Sequence, residues 1–143
     1  MASRSQRERL ASQTVSILKS GHYQGSTEEE YNIHSDVENS MSNTKLYSPK
    51  QLQELLHTPS FDSGNQVELE VTGEGCVSAA RRLGEMYDNV TLLNFASAKN
   101  PCGGMLGGSR AQEESIGVCS GLHSCLTLET LKGGYYNLHR FEY

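Results

Sequence analysis

The chain has 143 residues, enough for one domain. Hydrophobic residues make up 36% and charged residues 20%, so the core is modest and the chain is not a charge-driven disordered one. A formal net charge of −5 gives no basic groove for direct nucleic-acid binding, and no apolar run is long enough to anchor the chain in a membrane.

Residues 6–19 read as an amphipathic helix, with Leu10, Thr14, Ile17 and Leu18 at helical spacing, Val15 beside them and Gly21 as the stop. Arg4, Arg7 and Arg9 read as its solvated face. Residues 22–47 are polar and aperiodic, and irregular structure is expected there. Ser48-Pro49-Lys50-Gln51 then gives an N-cap, a Pro at N1 and a Gln at N3. Leu52, Leu55 and Leu56 line one face of the helix so started, which ends before Pro59. A turn-rich linker is expected over 58–65.

From residue 66 the pattern changes. Val67, Leu69 and Val71 alternate with Glu68 and Glu70, which predicts a strand over 67–71. A turn at 72–75 leads to a helix over 76–87, with Val77, Ala80, Leu83 and Tyr87 on one stripe. Val90, Leu92, Leu93 and Phe95 predict a buried strand over 90–96. A helical stretch through Ile116, Cys119, Leu122 and Leu126, breakable at Gly117 and Gly121, precedes the apolar tail 135–143. The expected fold class is α/β, with a mixed sheet flanked by helices. Two strands cannot close such a sheet. The sheet is expected to be incomplete, its partners coming from another chain or a longer protein.

Ligands of α/β sheets bind at the carboxyl ends of strands. The loop 98–111 falls there. Its pairs Gly103-Gly104 and Gly107-Gly108 allow close backbone approaches, so amides near 102–108 are candidates to wrap a diphosphate or ribose. The spacing is neither that of a nucleotide P-loop nor GxGxxG. Ser109-Arg110-Ala111-Gln112 reads as a second capping box, with a helix from Arg110. Glu113 and Glu114 then fall in or near its first turn. They either complement the helix dipole or do chemistry. Adjacent helical positions are about 100° apart, so the two carboxylates are not expected to converge like a glycosidase pair.

The four cysteines form no CxxC pair, and neither they nor the five histidines have metal-ligand spacing. No metal or cofactor is expected. With no secretory signal, an intracellular location follows, cytoplasmic or nuclear unresolved.

The run from Asn94-Phe95-Ala96-Ser97-Ala98 through Asn100-Pro101, Cys102-Gly103-Gly104 and Gln112-Glu113-Glu114-Ser115 resembles the signature of the microbial-type poly(ADP-ribose) glycohydrolases. Ser120-Gly121-Leu122 continues the likeness, and Leu46-Tyr47-Ser48-Pro49 with the first helix resembles the family's accessory N-terminal region. The resemblance implies a macrodomain-like catalytic fold. Residues 1–65 would be the accessory region and 66–143 the first part of the catalytic domain. It implies Glu114 as the catalytic acid and Glu113 as its neighbour on the ribose hydroxyls. Gln112 would place the loop, and Asn100, Cys102, Gly103, Gly104, Gly107 and Gly108 would lie along the ligand. Cys102 stands where the family has a glycine. The implied partners are ADP-ribose or poly(ADP-ribose), with ADP-ribosylated proteins behind them. The family's further strands, second glycine-rich loop and adenine-stacking aromatic are not in the 143 residues. The alternatives are therefore a non-catalytic ADP-ribose-binding or degenerate homologue, and a truncated gene product without independent function.

Overall fold

The computed structural model describes residues 2–57, 64 and 67–141. Helix α1 spans Arg4–Ser20. Ser3 and Gln6 close a capping box over its first turn, and Gly21 ends it in the left-handed region at φ +75°. The stop at Gly21 is as predicted; the Ser3 cap extends the helix beyond the expected start.

The stretch 22–47 is not irregular. Strands β1 (His22–Gln24) and β2 (Glu30–Asn32) form an antiparallel hairpin, and α2 runs over His34–Ser42. Tyr23 and Tyr31 face each other across the hairpin and stack, their centroids 5.1 Å apart. Asn32 Oδ1 accepts from the His34 amide at 3.0 Å and so starts α2 from outside it. These are three-residue strands, too short for alternation to mark them.

Helix α3 spans Pro49–Leu56 and carries the predicted capping box: Gln51 N donates to Ser48 Oγ, and Gln51 Oε1 accepts from Ser48 N. The linker expected over 58–65 lies, apart from Gly64, outside the described residues. Helix α4 covers Cys76–Gly84, three residues shorter than predicted. Arg82 returns from it to Glu74 at 2.6 Å and Glu70 at 3.3 Å, pinning the preceding segment.

The two strands predicted over 67–71 and 90–96 are not formed. Among the described residues, both stretches lack helix and ladder alike. Val67, Leu69 and Val71 are about nine-tenths exposed, and Phe95 is 72% exposed. A strand exists only through pairing, and among the described residues the one sheet is that of β1 and β2, so neither stretch belongs to a ladder. Residues 90–96 are not helical, so the expected path of the chain stands without its sheet.

After the glycine-rich loop come a 3₁₀ turn (Met105–Gly107), α5 (Gln112–Val118) and α6 (Leu122–Leu126). The break between α5 and α6 falls at 119–121, beside the predicted Gly121. A helical run then closes the described chain: α7 (Glu129–Leu131), a π-turn over Lys132–Tyr136 and α8 (Asn137–Phe141). The core is small. Ala11, Cys102 and Met105 are buried together, with Val15, Val118, Leu122 and Leu126 packed around them. It sits between α1, the loop and α5–α6, so the packed part of the molecule is the part that supports the loop.

Candidate functional site

Glu113 and Glu114 are the only charged side chains buried among the described residues. A buried carboxylate needs hydrogen bonds, and the loop supplies them. Ser97 N donates to Glu113 Oε2 at 2.7 Å, and Gly104 N donates to Glu114 Oε1 at 3.0 Å. Glu113 Oε1 is buried with no partner among the described residues. An acceptor left so loses about 1–3 kcal/mol unless something donates to it.

The glycines are explained by these two acids. Gly103 has φ +56°, and a Cβ built on it falls 2.6 Å from Glu114 Oε1 and 3.1 Å from Glu113 Oε2. A Cβ on Gly104 would meet the Ser109 side chain. The two carboxylates therefore do converge, on the backbone of Gly103, contrary to the divergence expected from helical spacing. The loop folds over the first turn of α5, and both side chains are long enough to reach it.

The expected capping box at 109–112 is absent. Helix α5 begins at Gln112, and its N-cap Ala111 makes no side-chain bond. Ser109 lies against Gly104 instead, and Gln112 does other work. Its Nε2 donates to Leu93 O at 2.7 Å and its Oε1 accepts from Phe95 N at 2.8 Å. The side-chain amide thus bonds the backbone of 93–95 as a neighbouring strand would, and Gln112 holds that segment against the loop.

The loop amides are largely spoken for. Gly103 N donates to Asn100 O, Met105 N to Cys102 O, Gly107 N and Ser109 N to Gly104 O, and Gly108 N to Met105 O. A ligand along the loop would meet Cα–H faces and shared amides rather than a row of free donors. Asn100 is exposed, and its Oδ1 accepts from Arg140 Nη2 at 3.1 Å. Arg140 Nε also donates to Lys99 O at 2.7 Å.

Cys102 is fully buried and holds φ +55°, a region that favours glycine. Its side chain fits because Gly117 faces it: a Cβ on Gly117 would fall 3.0 Å from Cys102 Sγ and 2.7 Å from Met105 Sδ. Burial, reinforced by Glu113 and Glu114, pushes the Cys102 thiol up to about 12. It is neutral at physiological pH and no nucleophile. Burial likewise pushes Tyr136 up to about 12, with Glu113 and Cys102 adding to the effect. Tyr136 is buried at 3% exposure near the acids, a neighbour that the sequence marked only as part of an apolar tail.

Glu114 lines a cavity of about 380 Å³ with Arg7, Val77, Ser109, Arg110 and Ser115. The cavity opens between α1, α4 and α5. Sequence reasoning missed Arg7, which it placed on a solvated face. Gly107 and Gly108 sit at the far end of the loop, where their carbonyls accept from Arg4 and Arg7. Among the described residues no group of His, Cys, Asp or Glu is placed to hold a metal ion. No described helix is long and apolar enough to cross a membrane.

A family model described as the catalytic domain of microbial-type PARG matches residues 11–142. Three solved structures of poly(ADP-ribose) glycohydrolase from Thermomonospora curvata are similar. The first is 36% identical with a TM-score of 0.88, covering 95% of this chain and 49% of that one. A mutant of that enzyme is 34% identical with a TM-score of 0.84. A form bound to the inhibitor ADP-HPD is 35% identical, also with a TM-score of 0.84. No curated protein matches. The chain spans about half the length of the solved structures it matches. The fold is the macrodomain-like α/β class expected from the sequence, present here in its helical part with its main sheet unformed. The chain belongs to the microbial-type poly(ADP-ribose) glycohydrolase catalytic-domain family.

Proposed function

We propose that this chain carries the acid of an enzyme that cleaves the ribose–ribose O-glycosidic bond of ADP-ribose polymers. The observation behind the reading is the pair of buried glutamates converging on Gly103, one lining a cavity and the other with an unpartnered oxygen. Glu114 gives its carboxyl proton to the departing ribose oxygen. The C–O bond breaks with its electron pair on that oxygen, leaving an oxocarbenium-like centre. The Glu114 carboxylate then takes a proton from water as the water oxygen bonds to that carbon. Glu113 Oε1 accepts from a ribose hydroxyl, which satisfies its missing bond. Asn100, its Oδ1 occupied by Arg140, meets the ribose through its amide nitrogen as donor.

Gln112 positions the loop through residues 93–95. Cys102, Gly103, Gly104, Gly107 and Gly108 give the surface along which ribose and diphosphate lie. The division into an accessory region over 1–65 and a catalytic part over 66–143 belongs to the same proposal, with α1 supporting the loop from the accessory side. The inhibitor-bound relative supports ADP-ribose as the ligand class.

The test is release of free ADP-ribose from poly(ADP-ribose) by the full-length protein, followed over time. Steady release supports the hydrolase. A second reading, an ADP-ribose binder without turnover, is favoured by Cys102 at a family glycine. Calorimetric binding of ADP-ribose with no release from polymer would establish that reading in place of the first.

A further inference from the structure

We propose that Arg7, with Arg4 beside it, is a positioning residue that holds Glu114 in register by bracing the glycine-rich loop against α1. The inference rests on the hydrolase reading above. Arg7 Nε donates to Gly108 O at 2.8 Å, and Arg4 Nε donates to Gly107 O at 3.0 Å. The Gly108 carbonyl and the Ser109 N–H belong to one peptide group. That N–H donates to Gly104 O at 3.1 Å, and Gly104 N donates to Glu114 Oε1 at 3.0 Å. Three hydrogen bonds, joined through the Gly108–Ser109 peptide group and the backbone of Gly104, therefore connect the Arg7 guanidinium to the Glu114 carboxylate.

The contact has no slack. Gly108 has φ +67°, and a Cβ on it would fall 2.7 Å from the Arg4 backbone oxygen. Helix α1 lies directly on the loop there. Further along α1, Thr14 Oγ1 donates to Val118 O at 2.9 Å, at the far end of the helix that carries Glu114. The loop and α5 are thus held by one rigid element at two points. The Arg7 side chain is itself fixed, since its Nη1 donates to Ala2 O at 2.6 Å, in the segment that the Ser3–Gln6 box orders. Lysine cannot offer two N–H groups in this fork. The family match begins at residue 11, so both arginines precede it.

The experiment compares Arg7→Ala and Arg7→Lys with wild type in the full-length protein, measuring kcat and KM on poly(ADP-ribose) and hydrogen exchange at the amides of Gly104 and Ser109. A brace predicts that Arg7→Ala lowers kcat ~10- to 100-fold, as expected for a misplaced catalytic group, with little change in KM. Arg7→Lys recovers little, and the two amides exchange faster while those of α6 keep their protection. A rise in KM with kcat preserved, restored by Arg7→Lys, would overturn the proposal, because Arg7 would then hold substrate by charge. Unchanged exchange at Gly104 and Ser109 would overturn it as well. If wild type releases no ADP-ribose, the hydrolase reading fails, and the exchange comparison still decides whether the brace exists. Arg4→Ala removes the more exposed of the two bonds and is read in the same way should Arg7→Ala fail to fold.

Discussion

Replacing Gly103 by alanine should damage the site by displacing both buried carboxylates. Two effects add. The residue sits at φ +56°, where a side chain costs about 1–2 kcal/mol. The added Cβ would also lie 2.6 Å from Glu114 Oε1 and 3.1 Å from Glu113 Oε2, so both carboxylates must move. Moving Glu114 breaks its bond from the Gly104 amide, and a hydrogen bond to a charged group is worth about 1.5–3 kcal/mol. Together the loss is roughly 2.5–5 kcal/mol, against a domain stability of about 5–15 kcal/mol. Urea unfolding of Gly103→Ala measures it, with calorimetry of ADP-ribose binding alongside. Gly73→Ala is the control, since nothing lies within 4 Å of its Cβ, and it should change stability by less than about 0.5 kcal/mol. A Gly103→Ala protein as stable as the control, binding ADP-ribose as wild type does, would refute the packing of the two acids on Gly103.

Gln112→Ala should free the backbone of 93–95, with a loss of about 0.5–1.5 kcal/mol per hydrogen bond and faster exchange at the Phe95 amide; an unchanged amide would mean that Gln112 does not hold the segment. Native protein treated with a thiol reagent should react first at exposed Cys119 and leave Cys102 unmodified until unfolding. Because folding raises the Cys102 pKa from 9.0 to about 12, the folded form keeps a proton that the unfolded form loses, so stability should fall as pH rises through that window. Cys102 alone should contribute a fall approaching about 1.4 kcal/mol for each pH unit crossed. Cys102→Ala should remove that share in urea midpoints, leaving the part due to Tyr136, which folding raises from 10.0 to about 12. The 143-residue chain in isolation, with Val67, Leu69, Val71 and Phe95 exposed, should self-associate on concentration, and a monomer by sedimentation would contradict this.

Local chemistry made parts of the fold legible. The Ser48–Gln51 box and the Gly21 stop are written within four residues, and the structure has both. The misreadings were of two kinds. Residues 67–71 and 90–96 have strand sequences, but a ladder needs a partner remote in the chain, and alternation cannot say whether one is present. The Ser109–Gln112 pattern matched a cap by spacing alone. Tertiary contacts claimed both ends of it, Ser109 for Gly104 and Gln112 for the backbone of 93–95. At the site, the glycines and the Gln-Glu-Glu run were readable as a cluster. Arg4, Arg7 and Arg140 were not, because each reaches the loop from about 40 to 100 residues away in sequence.

Comparison of Glu114→Gln with Glu113→Gln in the full-length protein tests the central assignment most directly. Turnover of poly(ADP-ribose) and affinity for ADP-ribose are measured on the same preparations. Glutamine keeps the shape and can still accept from the Gly104 amide, but it has no acid proton to give. Glu114→Gln should lose ~10²- to 10⁴-fold in turnover, the usual worth of general acid–base catalysis, while binding ADP-ribose nearly as wild type does. Glu113→Gln should weaken binding as well, since its buried oxygen is assigned to a ribose hydroxyl. Near-wild-type turnover in Glu114→Gln would contradict the account and move the acid elsewhere, with Glu113 the first residue to examine.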